Sequence, residues 1–303
     1  MPTLGGSNRT VLFDLVEGSA RRRLASRQET SGGEANPFLA PADQFRIMQV
    51  AFAHGLPVPE PVFAFDAADA MGEGFVTAFV AGETMPKRIL QEPALAAARA
   101  ALVPQFGILL ARLHGIGLGE AGFLERYPDS RDPITAYRDR LDVYGEPHPA
   151  IELGLRWLER HRAPAPRRAL LHGDFRVGNL IVGEDGIQAV LDWECAHIGS
   201  AAEDIGWLCT RSWRFGQVDR PAGGLGSREA VLAAYRAAGG DAVEPDEVRY
   251  WEIFGLVRWA ILNVWQAHGH VAGSRRSPAF AACGRNTSLI EYDLMLTLAG
   301  RYD

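Results

Sequence analysis

Three oxygen-bearing side chains stand at a spacing that can bring them together around one metal ion and one reacting group. Asp174 is followed five positions later by Asn179, and Asp192 comes directly after the second of two short apolar segments. Because those segments, 180–182 and 189–191, have the composition of a strand hairpin, all three side chains would lie at one end of a small sheet. Such oxygens suit Mg²⁺, a hard cation whose shell is usually completed by water and substrate phosphates. The spacing therefore predicts a site that handles phosphate.

Phosphoryl transfer needs this set of groups. A metal ion neutralises charge on the β- and γ-phosphates, and a carboxylate orients the attacking hydroxyl and accepts its proton. We assign the carboxylate role to Asp174, the candidate catalytic base, and the metal-ligand role to Asn179 and Asp192. A bland alternative, in which Asp174 is only a turn residue beside Gly173, leaves Asn179 and Asp192 without explanation.

The motif HGDxxxxN at 172–179, followed by LDWE at 191–194, resembles the aminoglycoside-phosphotransferase and choline-kinase superfamily. The spacing from Asp174 to Asn179 equals that of the protein-kinase catalytic loop, and Asp192 stands where the metal-binding Asp of the DFG motif would. Four other segments are similar in order and position to the phosphate-covering loop, the segment after helix C, the helix leading from the hinge and the GDPxxDL segment, namely 5–10, 55–59, 111–114 and 199–207. The resemblance covers nearly the whole chain and is closest to the phosphotransferase domains associated with acyl-CoA dehydrogenases.

This resemblance implies an α+β, bilobal protein-kinase-like fold, with a small β-rich N-terminal lobe and a larger, mainly helical C-terminal lobe. We expect the nucleotide-binding lobe at 1–80, and the helical lobe with the catalytic loop and substrate site at 81–303. The residue pattern agrees, because it predicts strands near 10–16, 22–28, 62–66 and 75–80, and long helices at 94–114, 227–238, 245–268 and 278–301.

The resemblance also implies a nucleotide, ATP or GTP, bound together with Mg²⁺. Ser7 and Asn8 belong to the expected phosphate-covering loop, and backbone groups near Ala78 and Val80 would contact the base from the hinge. The kinase fold uses a strand lysine on the phosphates, but the single lysine of this chain, Lys87, falls after the hinge. We therefore expect an arginine, Arg27, to grip phosphate, which a guanidinium can do with two hydrogen bonds.

A second departure from the family pattern concerns the glutamate expected on helix C. Gln44 stands at that position, beside Asp43, and a neutral amide would hold Arg27 more weakly than a carboxylate. This motivates an alternative function, a catalytically weak pseudokinase that binds nucleotide or a metabolite. A protein kinase is disfavoured, because the sequence after Asp192 shows no activation segment or APE-like element.

The remaining polar residues near the motif are interpreted as supports. We expect His172 to be a hydrogen-bonded histidine that holds the loop, and Asp204 to accept hydrogen bonds from backbone N–H groups of that loop. Glu194 and His197 could face the substrate or pack internally. For Arg258 a solvated or paired state is expected.

Composition and charge limit the partners. The chain has 303 residues and a formal net charge of -6, which argues against a nucleic-acid partner. Its three cysteines show no CxxC spacing, so neither a disulfide framework nor a zinc site is expected, and a cytoplasmic location follows. The N-terminus lacks signal-peptide features and no window approaches about 20 apolar residues, so no membrane partner is expected. The expected partner is a small molecule with a hydroxyl, either aminoglycoside-like or a hydroxy acid or hydroxyacyl thioester, and the oligomeric state stays open.

Overall fold

An antiparallel sheet and one helix form the N-terminal part of the fold. The computed structural model describes residues 8–29, 36–66, 68, 70–162 and 167–302. Within these ranges the N-terminal elements are β1 (Asn8–Glu17), β2 (Ala20–Glu29), α1 (Pro41–Ala53), β3 (Pro61–Ala64) and β4 (Gly74–Ala78). In the described part of this sheet the four strands lie in the order β1-β2-β4-β3.

Local sequence explains these elements. The hairpin of β1 and β2 turns at Gly18, whose φ of 62° is costly for residues with a Cβ. Helix α1 begins at Pro41, a residue whose fixed φ suits the first helical position, and it buries Ile47 and Ala51 against the sheet. The chain leaves the helix through Gly55, at a φ of 68°.

The rest of the described chain is mainly helical, and two short strand pairs are embedded in it. The helices are α2 (Pro86–Gln91), α3 (Ala96–His114), α4 (Leu118–Ala121), α5 (Pro133–Asp142), α6 (Pro149–Arg160), α7 (Ala201–Cys209), α8 (Arg228–Ala237), α9 (Pro245–Val271) and α10 (Pro278–Leu298). The strands are β5 (Arg168–Leu171), β6 (Leu180–Gly183), β7 (Gly186–Val190) and β8 (His197–Ser200), with β5 antiparallel to β8 and β6 antiparallel to β7.

The segment that joins the two parts is fastened to the hairpin of β6 and β7. Glu83 N–H donates to Val182 O at 2.8 Å, and Val182 N–H donates to Glu83 O at 2.9 Å. Gly82 has a φ of 150°, and a Cβ there would lie 2.5 Å from Ile181 Cγ2. The close approach of the joining segment to the hairpin therefore requires glycine at this position.

The expected α+β architecture with a β-rich N-terminal lobe and a helical C-terminal lobe is confirmed. The predicted strands and long helices are present with shifts of a few residues at their ends, whereas α2 and the pairing of β5 with β8 were not predicted. The proposed division after residue 80 falls in the extended segment between β4 and α2.

Helix α3 corrects one expectation from the sequence. The stretch Pro93–His114 is long and apolar enough to cross a membrane by length and composition, although no such window was expected. In the fold its Leu102, Phe106 and Leu110 are fully buried. Those side chains belong to a hydrophobic core that includes residues of both lobes, so their apolar character is explained by packing.

Helices α3 and α8 approach closely at Gly107, and this contact generates a prediction. A Cβ at Gly107 would lie 2.5 Å from Tyr235 N and 2.7 Å from Ala234 Cβ. Although alanine favours a helix, we expect Gly107→Ala to lower the free energy of unfolding by about 1–3 kcal/mol through overpacking. Urea unfolding measures this change. The control is Gly119→Ala in α4, where a Cβ meets nothing within 4 Å; equal stability of the two variants would contradict the packing argument.

Candidate active site

One buried carboxylate accepts hydrogen bonds from the backbone of the loop that follows β5. Asp204, on α7, is fully buried and accepts hydrogen bonds from the N–H groups of His172 and Gly173, each at 2.8 Å. His114 on α3 lies 3.2 Å from the same carboxylate. This confirms the expectation that Asp204 supports the loop through its backbone.

Gly173 gives the loop its shape. Its φ is 74°, and a Cβ there would lie 2.0 Å from Cys195 O, so any other residue would force the two segments apart. Its carbonyl accepts a hydrogen bond from Arg258 Nη1. Arg258 is buried, bonds Tyr137 Oη at 3.0 Å and lies 4.5 Å from the Trp207 ring centre, so it is paired internally.

His172 connects the loop to the end of β7. Its Nδ1 accepts the N–H of Asp174 at 3.1 Å, so its Nε2 carries the proton that is donated to Leu191 O at 2.9 Å. Burial lowers the pKa of His172, which keeps the ring neutral in this arrangement. The structure thus confirms the interpretation of His172 as a support that links the segments carrying Asp174 and Asp192.

Both oxygens of Asp174 are oriented by hydrogen bonds. Oδ1 accepts from Trp207 Nε1 at 2.7 Å and from Arg176 Nε at 3.0 Å. Oδ2 accepts from Asn179 Nδ2 at 2.5 Å. The structure therefore brings Asp174 and Asn179 into direct contact. Because the amide nitrogen of Asn179 is used in this way, its amide oxygen is the atom suited to a metal ion.

Asp192 follows β7 in an unusual backbone conformation. Its φ of 68° and ψ of 61° place it in the left-handed region, which costs a residue with a side chain about 1–3 kcal/mol. The turn that follows contains Glu194, and Arg27 Nη2 donates to both acids, at 2.5 Å to Asp192 Oδ1 and 2.5 Å to Glu194 Oε2. Asn8 Nδ2 also donates to Glu194, at 2.9 Å.

Arg27 and Asp192 shift each other's pKa. Burial alone would raise the pKa of Asp192, but the charge and hydrogen bond of Arg27 lower it. Burial would likewise lower the pKa of Arg27, but the charges of Asp192 and Glu194 raise it above its ordinary value. Both groups are therefore held in their charged forms.

The partner of Arg27 corrects the sequence-based expectation for Gln44. The Gln44 side chain donates to Leu39 O at 2.7 Å instead of contacting Arg27, while Asp43 pairs with Arg126. The acid that the family pattern places on α1 is replaced by Glu194. From the sequence, Glu194 was expected either to face the substrate or to pack internally. Its position two residues after Asp192 was the available signal.

The predicted nucleotide contacts are placed as follows. Ser7 lies outside the described residues, whereas Asn8 begins β1 and donates a hydrogen bond to Glu194. Ala78 ends β4, and its N–H is already donated to Glu60 O at 2.9 Å. Val80 follows in the joining segment and is half buried.

The described residues hold no ready-made cluster of three or more His, Cys, Asp or Glu side chains suited to a metal ion. The oxygen donors at the cleft are instead the amide of Asn179 and the carboxylates of Asp192 and Glu194. One amide and two carboxylates fit Mg²⁺, since this ion usually takes one or two carboxylates and completes its shell with water and phosphates.

Comparison with known proteins identifies the family to which this fold and these motifs belong. The family model described as the phosphotransferase enzyme family matches residues 3–245. Among curated proteins, acyl-CoA dehydrogenase family member 10 of Mus musculus is 29% identical over 216 residues, which cover 68% of this chain but only 19% of the mouse protein. The chain thus corresponds to about a fifth of that relative's length.

Solved structures share the fold. A Ralstonia eutropha JMP134 protein assigned as an aminoglycoside phosphotransferase matches with a TM-score of 0.72 and 20% identity, over 100% of this chain and 92% of that chain. Spectinomycin phosphotransferase, solved with ADP and spectinomycin, matches with a TM-score of 0.62 and 11% identity, over 98% of this chain and 92% of that chain. The expected kinase-like fold is therefore confirmed.

The role of Asp204 can be tested by Asp204→Asn. Burial alone would raise the pKa of Asp204, but the hydrogen bonds from His114 and the His172 backbone lower it. We expect the variant to lose about 2–4 kcal/mol of unfolding free energy at pH 7, because the loop N–H groups lose charged acceptors. This advantage of the native protein is complete above the unfolded carboxyl pKa of about 4 and disappears as the pH falls through the lower folded pKa.

Urea unfolding at pH 7 and below pH 4 measures both effects. Asp185→Asn, at an exposed turn position between β6 and β7, is the matched control. The assignment is wrong if the two variants have equal stability at pH 7.

Proposed function

The chain belongs to the phosphotransferase enzyme family, and from this membership we propose a Mg²⁺-dependent small-molecule O-phosphotransferase that moves the γ-phosphoryl group of ATP or GTP to a substrate hydroxyl. One observation carries the proposal. The Asp174 carboxylate is oriented by Trp207, Arg176 and Asn179, and His172 links its loop to Leu191, the residue before Asp192. A base, an amide oxygen and a second carboxylate are the groups that this reaction needs.

The proposed reaction is a single displacement. The substrate hydroxyl lies against Asp174, and its oxygen attacks the γ-phosphorus while the bond from that phosphorus to the bridging oxygen breaks. The hydroxyl proton passes to Asp174, and the nucleoside diphosphate leaves with the bridging oxygen. The three hydrogen bonds to Asp174 fix the direction in which the carboxylate accepts the proton, which reduces the cost of positioning.

Asn179 and Asp192 would hold Mg²⁺, and Glu194 supplies a further oxygen beside them. When bound, Mg²⁺ neutralises charge on the β- and γ-phosphates. Spectinomycin phosphotransferase was solved with ADP, which supports an adenine nucleotide as the donor. In the proposed arrangement the base of the nucleotide lies against the backbone of the joining segment, near Val80.

Arg27 must change partners for this reaction. In the structure its guanidinium neutralises Asp192 and Glu194, the groups proposed to face the metal ion. We propose that the guanidinium moves to a phosphate when Mg²⁺ and the nucleotide enter together, because this exchange leaves no buried charge unpaired. Nucleotide and metal binding are then strongly interdependent.

The surroundings of Asp174 favour a substrate that is not a polycation. Arg176 lies beside Asp174 and 4.6 Å from the Trp213 ring centre, while Arg211 pairs with Asp293 at 3.3 Å. Glu291, another acid that might bind amino groups, lies 3.0 Å from His148. These two acids thus already contact basic side chains, and the guanidinium beside Asp174 would disfavour a polycation.

An aromatic cluster points to an apolar portion of the substrate. The Trp207 and Trp213 ring centres are 5.2 Å apart, and those of Trp213 and Trp259 are 5.0 Å apart. Trp207 and Trp213 are buried, whereas Trp259 is partly exposed. Because this cluster begins at the side chain that orients Asp174 and ends at a partly exposed ring, we propose a hydroxy acid or hydroxyacyl thioester as substrate. The similarity to an acyl-CoA dehydrogenase family member supports the same class.

A pseudokinase that binds nucleotide or a metabolite is the second candidate. Its specific support is that Arg27 occupies the proposed metal ligands and that Gln44 gives it no competing partner. The presence of Asp174, Asn179 and Asp192 opposes it, since all three chemically demanding positions are retained.

The proposed base is tested by γ-phosphoryl consumption with ATP or GTP and Mg²⁺. The acceptor panel contains hydroxyacyl thioesters, choline-like alcohols and aminoglycosides. We expect turnover on the hydroxyacyl class and a fall of at least about 10²-fold in Asp174→Asn, because an amide cannot accept the proton. Nucleotide affinity should change little, and Asp185→Asn serves as control.

Two results count against this account. Unchanged turnover in Asp174→Asn would remove Asp174 from the role of base. Nucleotide binding without turnover on any class would favour the pseudokinase.

The partner exchange of Arg27 is tested by Arg27→Gln. Without the guanidinium, Asp192 and Glu194 lose the cation that both of them contact, so we expect Mg²⁺ alone to bind about 10-fold more tightly than to the native protein, while nucleotide affinity falls. Calorimetric titration with Mg²⁺, and with nucleotide, measures both changes. Arg22→Gln on the same strand, which removes an exposed pair with Glu60, is the control. Weaker Mg²⁺ binding in Arg27→Gln would refute the exchange.

A further inference from the structure

A cavity of about 430 Å³ lies at the end of the β5–β8 pair that is opposite the catalytic loop. Arg168 and Ser200, which pair across these strands, line it, whereas Leu171 and His197 pair at the end that continues into the loop. Three residue steps along a strand separate the two ends by about 10 Å. Asp174 and the other residues of the proposed active site are not among its lining residues, so this is a separate space.

Most polar groups in the cavity wall already have partners. Asp132 accepts the N–H of Ile134 at 3.1 Å and pairs with Arg162 at 2.8 Å. Arg168 makes a two-pronged ion pair with Glu125 at 2.9 Å. An anionic ligand would therefore find two of the arginines of the wall already engaged.

Glu203 is the exception in this wall. It is only 2% exposed, and its Oε1 lies 3.1 Å from His197 Nε2 in an ion-pair contact. Its Oε2 is buried and has no hydrogen-bond partner among the described residues. Burial alone would lower the pKa of His197, but the charge of Glu203 raises it to about 9, so Glu203 faces a cation on one side only. The neighbouring His197 Nε2 also lacks a hydrogen bond among the described residues, although it lies 3.1 Å from Glu203 Oε1. A buried carboxylate oxygen without a donor is rare and unfavourable, so Oε2 retains the capacity to accept a hydrogen bond from a bound group.

The rest of the wall is apolar or aromatic. Ile134 and Ile198 contribute aliphatic surface, and Tyr250 and Trp251 contribute rings. Aromatic faces attract cations as well as apolar groups. The volume falls in the range of ordinary small-molecule sites.

From these observations we infer that the cavity binds a small organic cation, a protonated amine attached to an aromatic or aliphatic body, with the ammonium group bonded to Glu203 Oε2. The amine satisfies the orphaned oxygen, and its body packs against Trp251 and Ile198. A carboxylate ligand of the same size would meet that oxygen with like charge, and Arg162 and Arg168 are already paired with acids, so an amine is favoured over it.

The site also has a route to the catalytic loop. Glu203 is followed by Asp204, whose carboxylate holds the loop N–H groups, and His197 Nδ1 lies 2.9 Å from Cys195 O, the atom against which Gly173 packs. A ligand on Glu203 would thus lie next in sequence to Asp204, the residue whose carboxylate holds the loop.

The inference is tested with 2-phenylethylamine, 2-phenylethanol and phenylacetate as probes, a series that varies the polar group on one ring. Binding is followed by saturation-transfer NMR on the full chain, with and without saturating Mg²⁺ and ADP. We expect the amine to bind more tightly than the alcohol, phenylacetate not to bind, and the nucleotide to leave amine binding in place. Equal binding of the three probes, absence of amine binding, or displacement of the amine by nucleotide would each overturn the inference.

Two variants locate the amine. Glu203→Gln should weaken amine binding by about 10-fold or more and leave the alcohol nearly unchanged, because only the charged hydrogen bond is lost. Since that change also disturbs His197, Ser200→Leu provides a second test: it fills the cavity without removing a helix-cap hydrogen bond and should abolish binding of both. Asp185→Asn is the control for each. Amine binding that survives in both folded variants would contradict the assignment.

Discussion

The buried carboxylate of Asp204 is the constraint on which the rest of the site depends. It accepts hydrogen bonds from the N–H groups of His172 and Gly173, and the Arg258 guanidinium donates to the Gly173 carbonyl. Because each of these groups has its partners inside the protein, the backbone at Asp174 is held in place independently of the hydrogen bonds that its own side chain accepts. The reactive groups can then be arranged by short hydrogen bonds from Trp207 and Asn179.

An ion pair connects the segment after β7 to the N-terminal sheet. Arg27 of β2 reaches the two acids that follow β7, so an ion pair spans from the N-terminal sheet to the segment that carries Asp192. The same contact explains how the chain can do without a strand lysine and a helix glutamate: arginine serves as the cation, and Glu194 serves as its acid. In the proposed exchange a phosphate replaces the two acids as partner of Arg27, and a metal ion replaces Arg27 as partner of the acids. Each charged group therefore keeps a partner of opposite charge.

The sequence predicted the parts of this arrangement that are local. The spacing of Asp174 and Asn179, and the hairpin before Asp192, follow from short-range patterns, and the helices follow from their periodicity. The pairing of Arg27 with Glu194 spans 167 positions and depends on how the lobes meet, so residue order suggested Gln44 instead. The cavity beside Glu203 was likewise invisible, because it forms only where α5, α9 and β8 come together.

The most direct test is a crystal structure with Mg²⁺ and a non-hydrolysable ATP analogue. The account predicts Mg²⁺ on the Asn179 amide oxygen and the Asp192 carboxylate, with the Arg27 guanidinium removed from Asp192 and bonded to a phosphate. A structure in which nucleotide is bound while Arg27 keeps both Asp192 and Glu194, with no metal ion on Asn179, would contradict it and favour a protein that binds nucleotide without transferring phosphate.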